Sequence, residues 1–170
     1  MSAHYLFGET LNGACAIESL IMFSGELDPA AVRPLFQSIE EEGQFSLEDG
    51  RARIAGHRPQ SEARIDRFLA PHRAGRDAKY VLGLLDKMTP EEEALFVAFP
   101  NWLFHDQVAR IFRSGVVLGA GNLSIQDGQL EVFGSSHSLR LEARPSDLAA
   151  IERGLLSAST SLSRKASVSR

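Results

Sequence analysis

The chain has 170 residues, 44% of them hydrophobic and 24% charged, the composition of an ordinary folded domain, which excludes disorder over most of its length. Its net charge of −4, with Arg scattered among Glu and Asp, argues against nucleic acid as a partner, because phosphate neutralisation needs clustered cations. The single cysteine, Cys15, excludes an internal disulfide and a cysteine-based zinc site.

In chain order, Tyr5 to Phe7 and Ile17 to Phe23 are short apolar runs that read as strands. Asp28 then supplies an N-cap with Pro29 at the first helical position. Val32, Leu35, Phe36 and Ile39 follow at i, i+3, i+4 and i+7, an apolar stripe that predicts an amphipathic helix. Asp49-Gly50 marks a hairpin, since a two-residue primed turn needs positive φ. A closing helix is expected from Ser61 as N-cap, stopped by Pro71, and a linker follows to Ala78.

The second half begins with strands at Tyr80 to Leu85 and Ala94 to Phe99. Thr89-Pro90-Glu91-Glu92 has the pattern of a helix start, with an N-cap, a first-position Pro and a Glu three residues on. The internal repeat argues instead for a strand from Leu95. Phe104, Val108, Ile111 and Phe112 make another helical stripe. Asp127-Gly128 is the second hairpin signal, and Leu123, Ile125, Leu130 and Val132 around it alternate with polar residues, as a sheet with one wet face requires. The last helix is expected from Ser146.

Five segments recur in the same order along the two halves. His4-Tyr5-Leu6-Phe7-Gly8 matches Lys79-Tyr80-Val81-Leu82-Gly83, and Leu20-Ile21-Met22-Phe23 matches Phe96-Val97-Ala98-Phe99. The runs from Val32, Ser46 and Ile65 match those from Val108, Ser124 and Ile151. The offsets are 75, 76, 76, 78 and 86 residues, and they only increase, as insertions in the second copy would produce. The expected fold is therefore α+β: an internal duplication of a β-β-α-β-β-α unit of about 75 residues. Its sheet would be mainly antiparallel with helices packed on one face, and the copies would be related by a pseudo-twofold axis, as one long sheet or two face to face. Residues 1–156 form one domain in this reading, with repeat one at 3–70, a linker at 71–78 and repeat two at 79–156. Residues 157–170, rich in Ser and basic side chains, read as a flexible tail.

His105-Asp106, at the start of a helix, is the most suggestive chemical pair, because a His is poised near neutral pH to act as base or nucleophile. Copy one has Pro29-Ala30 there, so the scaffold itself does not call for a His. Asn101 and Trp102, just before it, and the polar loop at Ser135, Ser136 and His137 are the candidate ligand-binding residues. Gly119-Ala120-Gly121-Asn122 lacks the Lys-Ser/Thr ending of a phosphate loop and precedes a strand. The five histidines show no metal-ligand spacing, so neither a metal nor a cofactor is expected. Glu40-Glu41-Glu42 and Glu91-Glu92-Glu93 read as solvated surface. Arg164-Lys165-Ala166-Ser167-Val168 fits a basophilic kinase consensus.

Copy two resembles the phosphohistidine phosphatase (Janus) family at Lys79-Tyr80-Val81-Leu82, at His105 before a helix, at Gly119-Ala120-Gly121-Asn122-Leu123 and at Val132-Phe133-Gly134-Ser135-Ser136. The resemblance implies His105 as catalytic base and the loop at Ser136 as phosphate binder, although the spacings after His105 are shorter than that family's. Leu123 to Arg164 looks like the closing hairpin and helix of type III secretion chaperones, small acidic α+β proteins that bind partner chains. No dense catalytic constellation is present, which favours a non-enzymatic binding or regulatory protein recognising a protein or small ligand between its two repeats. The alternative is a small His-dependent phosphohydrolase with His105 as base or nucleophile. No secretory signal and no long apolar run is visible, so a cytoplasmic, membrane-free protein is expected. Exposed sheet edges would permit a homodimer.

Overall fold

The computed structural model describes residues 3–72, 76–85, 94–112 and 115–156. Its first half runs β1 (Ala3–Asn12), β2 (Cys15–Phe23), α1 (Pro29–Val32), β3 (Ser38–Glu48), β4 (Arg51–Ile54) and α2 (Pro59–Leu69). The second runs β5 (Ala78–Leu84), β6 (Leu95–Phe99), α3 (His105–Ala109), β7 (Val116–Gln126), β8 (Gln129–Phe133), a small hairpin of β9 (Ser135–Ser136) and β10 (Leu141–Glu142), and α4 (Pro145–Leu155). The strand expected from Leu95 is β6. The tail from Ser157 and the pattern at Thr89 to Glu92 lie outside the described residues.

Eight strands join into one antiparallel sheet in the order β4-β3-β1-β2-β6-β5-β7-β8, curved into a half-barrel. The order reads alike from either end. This corrects the α+β expectation with helices on one face: among the described residues strand accounts for 48% and helix for 26%, the helices are short, and they lie on both faces. The physical reason is legible in the central strands. Tyr5-Leu6-Phe7, Ile21-Met22-Phe23, Tyr80-Val81-Leu82 and Phe96 to Phe99 are apolar without alternation, so both faces of the sheet centre are buried and both must be covered. Tyr5, Phe7, Met22, Tyr80 and Phe96 share the inner face with Ile65 and Leu69 of α2 and Ile151 and Leu155 of α4. Leu6, Ile21, Phe23, Val81 and Phe99 share the outer face with Val32 and Val108 of α1 and α3.

The helices are also shorter than their stripes suggested. Asp28 caps α1 as expected, its carboxylate accepting from the Ala30 N–H at 3.0 Å. Pro34 has no N–H to continue an α-helix and its ring crowds the carbonyl four residues back, so the chain tightens into a 3-10 turn at Arg33–Leu35. Phe36 is then extended, and Ile39 belongs to β3. In the second half α3 also passes into a 3-10 turn, Arg110–Phe112, and Phe104 stays outside the stripe at 66% exposure. Helices α2 and α4 begin at Pro59 and Pro145, so Ser61 and Ser146 lie inside the first turn and do not cap it.

Both Asp-Gly turns form, with φ of 52° and 76° at Asp49-Gly50 and 54° and 77° at Asp127-Gly128. The curl of the sheet brings these two tips together, although they belong to its opposite ends. A side-chain carbon placed on Gly50 would lie 2.8 Å from the Cα of Gly128. A parallel bridge between Leu47 and Leu156 ties the end of the chain to β3 nearby.

Two buried tyrosines occupy corresponding places, Tyr5 opposite Gly43 and Tyr80 opposite Gly121. Each donates its hydroxyl to a carboxylate at 2.7 Å, but the carboxylates arrive from different elements. Glu41 reaches Tyr5 from β3, with the Ser61 hydroxyl of α2 donating to the same oxygen and Arg58 beside it. Asp147 reaches Tyr80 from α4, with Arg144 paired to it, and a side-chain carbon on Gly119 of β7 would collide with that carboxylate. Burial, then the bond to Glu41, pushes the Tyr5 hydroxyl up to about 12. For Glu41, burial would raise the carboxyl, but the hydrogen bonds from Ser61 and Tyr5 and the nearby Arg58 outweigh it and hold it below the usual carboxylate range. No helix among the described residues is long and apolar enough to cross a membrane.

Candidate functional site

The two halves of the sheet are joined by little backbone. β2 pairs with β6 only at Met22↔Ala98 and Phe23↔Val97, extended by the Ser24 N–H donating to the Phe96 carbonyl. The β2 residues before Met22 pair with β1 alone, and beyond Phe99 the chain meets Pro100, which has no N–H to carry the pairing on. The strands part there, and a cleft of about 640 Å³ opens between them.

Its walls come from both halves. Phe7 and Leu20 form the floor; Arg64, Arg67 and Phe68 project from α2; His72, Arg76 and Ala78 come from the connection into β5; Pro100, Asn101 and Trp102 close the far side. Arg64, Arg67 and Phe68 stand at i, i+3 and i+4, one face of α2, while Ile65 and Leu69 turn the opposite way into the core. Arg64 is held by Glu18 at 3.1 Å and lies 5.1 Å from the centre of the Phe7 ring.

Trp102 is anchored by a short polar chain. Its indole N–H donates to the Thr10 hydroxyl at 3.0 Å, and Thr10 and Ser19 lie 2.6 Å apart. The Ser19 hydroxyl donates to the Ile17 carbonyl at 2.9 Å. An indole only donates, so Thr10 accepts from it and passes its own proton towards Ser19. Thr10 and Ser19 are both buried, which makes every bond of this chain costly to break and fixes the ring at the cleft wall. Asp77, also buried, accepts from the His72 backbone and fixes the connection on the other side.

The corresponding surface of the second half is lined by smaller side chains on its helix. At the offset of 86 residues, Arg64 and Phe68 correspond to Ala150 and Gly154 of α4. Helix α4 lies down on β6, and a side-chain carbon on Gly154 would sit 2.7 Å from the Phe96 ring. Helix α2 packs instead mainly on β4 and β7, and reaches β2 through the Arg64–Glu18 pair. Two of the residues that line the cleft, Arg64 and Phe68, are thus large in one helix where the other has Ala150 and Gly154.

Of the sequence-chosen residues, Asn101 and Trp102 line this cleft, whereas Ser135, Ser136, His137 and His105 do not. Ser136 is buried with its hydroxyl accepting from the Leu139 N–H at 3.3 Å, which is turn chemistry, and Ser135 and His137 are exposed. His105 is buried, its ring edge-on to Phe99 at 5.5 Å and its Nε2 3.0 Å from the Gly121 carbonyl. A carbonyl only accepts, so Nε2 carries the proton. In the first half a different imidazole meets the corresponding phenylalanine: His4 stacks on Phe23 at 5.2 Å, with its Nε2 3.2 Å from the Gly25 carbonyl. Each half thus sets an imidazole against the same phenylalanine position, from a strand in one and a helix in the other. The Pro29-for-His105 difference, which singled out His105 in the sequence, has this packing explanation.

Burial, chiefly, holds the His105 imidazole below its ordinary range, with the Gly121 bond opposing. The sign for stability follows. The unfolded chain takes up the proton at a higher pH than the folded one, so stability is lost as pH falls through the ordinary histidine value near 6.5. We expect the urea midpoint of the wild type to drop between pH 7.5 and 5.5, and this one group to contribute at most ~1.4 kcal/mol per pH unit. His105→Gln should flatten that slope; an unchanged slope would show that His105 does not carry it.

Arg64, Arg67, Phe68, His72 and Arg76 were missed by sequence reading, because each is ordinary in its own element. The available signal was the repeat itself, which sets Arg64 and Phe68 against Ala150 and Gly154. Among the described residues, no group of three or more His, Cys, Asp or Glu could hold a metal ion. No protein-family model matches the chain, and neither does any curated protein or solved structure, so the likenesses to Janus phosphatases and secretion chaperones rest on the quoted residues alone.

Proposed function

We propose that this chain is two tandem copies of one unit and acts as a non-enzymatic binding protein, taking a small molecule in the cleft where the copies part. The observation that carries the reading is the asymmetry of the two helices. A cavity of about 640 Å³ is within the usual range for a small-molecule site, and it opens beside α2, which carries Arg64 and Phe68 where α4 has Ala150 and Gly154. Its concave form, with walls from both halves, suits a small molecule better than a protein chain. A cytoplasmic setting belongs to the proposal, since the one cysteine, Cys15, is exposed and can form no internal bridge.

The sole tryptophan, Trp102, stands in the wall and provides the readout. In a screen of a chemically diverse small-molecule library, true ligands should change Trp102 emission, saturate at one per chain and raise the melting temperature with concentration. Their amide shift perturbations should fall on β2, α2 and residues 101 and 102. Hits that map to the sheet edges, or a library that leaves emission and melting unchanged, would overturn the reading.

A further inference from the structure

We infer that the cleft selects a small planar anion, an aromatic ring bearing a carboxylate or a phosphate, which rests on the reading of the cleft as a ligand site. The charge pattern gives the sign. Arg64, Arg67, Arg76 and His72 face the cleft against one acid, Glu18, although the chain as a whole carries −4. Glu18 is matched by Arg64 alone. Arg67 and Arg76 form no ion pair among the described residues, so two guanidinium groups remain in the wall without a balancing carboxylate. Guanidinium is the side chain best shaped for a planar or tetrahedral oxyanion, which it grips with two parallel N–H bonds.

The ring follows from the remaining surface. Phe68 lies one residue beyond Arg67 on α2, and Trp102 faces the cleft from the opposite side with its indole held by Thr10. A flat ligand entering between α2 and residues 100–102 therefore meets an aromatic surface, fixed before binding, beside two cations. A wall prepared in this way loses little rotamer freedom on binding. The volume is in the range of small-molecule sites, and the chain's net charge of −4 disfavours a nucleic-acid strand, so the anion is a discrete ligand.

The test compares two dyes that differ by one sulfonate group, 8-anilinonaphthalene-1-sulfonate and its uncharged parent N-phenyl-1-naphthylamine, on the full chain. The sulfonate should bind at one per chain, at least about tenfold more tightly than the neutral dye, and more weakly as salt rises. The double variant Arg67→Gln/Arg76→Gln changes two exposed side chains and should keep the wild-type melting curve. It should lose most of that preference while binding the neutral dye as before. Equal binding of both dyes, or indifference to the double variant, would overturn the anion and leave the cleft as a site for neutral ligands. Binding of neither dye would remove the cleft reading itself. Displacement by benzoate or by phenyl phosphate then names the head group, whereas displacement by inorganic phosphate as effective as by phenyl phosphate would take the ring out of the inference.

Discussion

Replacing Asp147 by Ala is expected to lower folding stability by about 3–4 kcal/mol, read as a fall in the urea midpoint with the m-value unchanged. Asp147 has no exposed surface, accepts the Tyr80 hydroxyl at 2.7 Å and the Arg144 Nε at 2.9 Å, and also accepts the Arg144 backbone N–H at the start of α4. Its removal strands a buried phenol and part of a guanidinium at once, and a buried polar group without a partner costs more than its bond contributed. The first half indicates how the loss should be repaired. There the carboxylate is on the strand, at Glu41, and the helix carries only Ser61. Gly119 is the strand position facing Asp147, and no side chain fits there while Asp147 is present. Gly119→Glu alone should therefore destabilise, Asp147→Ser alone should destabilise, and the two together should recover at least half of the summed loss. A double variant no better than the sum would mean that the two arrangements are not interchangeable.

The second large effect concerns the meeting of the hairpin tips. Gly50 and Gly128 have nearly the same φ, 76° and 77°, in turns of the same Asp-Gly sequence. A β-branched residue at either pays backbone strain of about 1–3 kcal/mol. Only at Gly50 does the new carbon also meet the facing tip, 2.8 Å from the Gly128 Cα; at Gly128 the nearest atom is the Asp49 carbonyl oxygen at 3.9 Å. Gly50→Val is therefore expected to cost about 1–3 kcal/mol more than Gly128→Val, the cost of forcing atoms into a closed contact. Equal losses would show that the half-barrel does not close at this point. The comparison isolates a tertiary contact because the local conformational terms cancel.

Much of the local structure was legible from residues alone, since its causes are local. Both Asp-Gly pairs adopt the positive φ that a two-residue hairpin turn requires, Asp28 caps the following turn with its own side chain, and the unalternating apolar runs of β1, β2, β5 and β6 demand burial on both faces. The last of these already contained the answer on helix placement, which the amphipathic stripes obscured. The stripe from Val32 to Ile39 counted apolar spacing and gave too little weight to Pro34, whose missing N–H ends the helix whatever the spacing.

The candidate site was not legible, and the reason is separation. Phe7, Glu18, Arg64, Arg76 and Trp102 span most of the chain and meet only because β2 and β6 part after two residue pairs. No local propensity records how far two strands stay together, because that depends on what packs beneath them. The same holds for the two exchanged partnerships, Glu41 for Asp147 and His4 for His105: each residue is ordinary in its own segment, and only the fold shows which tyrosine or phenylalanine it meets. The amino-acid sequence by itself determined the turns, the strands and the ordered likeness of the two halves, through short-range sterics and hydrophobic patterning. The tertiary structure alone decided that the halves share one sheet and that a cleft opens beside one helix, because these follow from close packing between residues far apart in the chain.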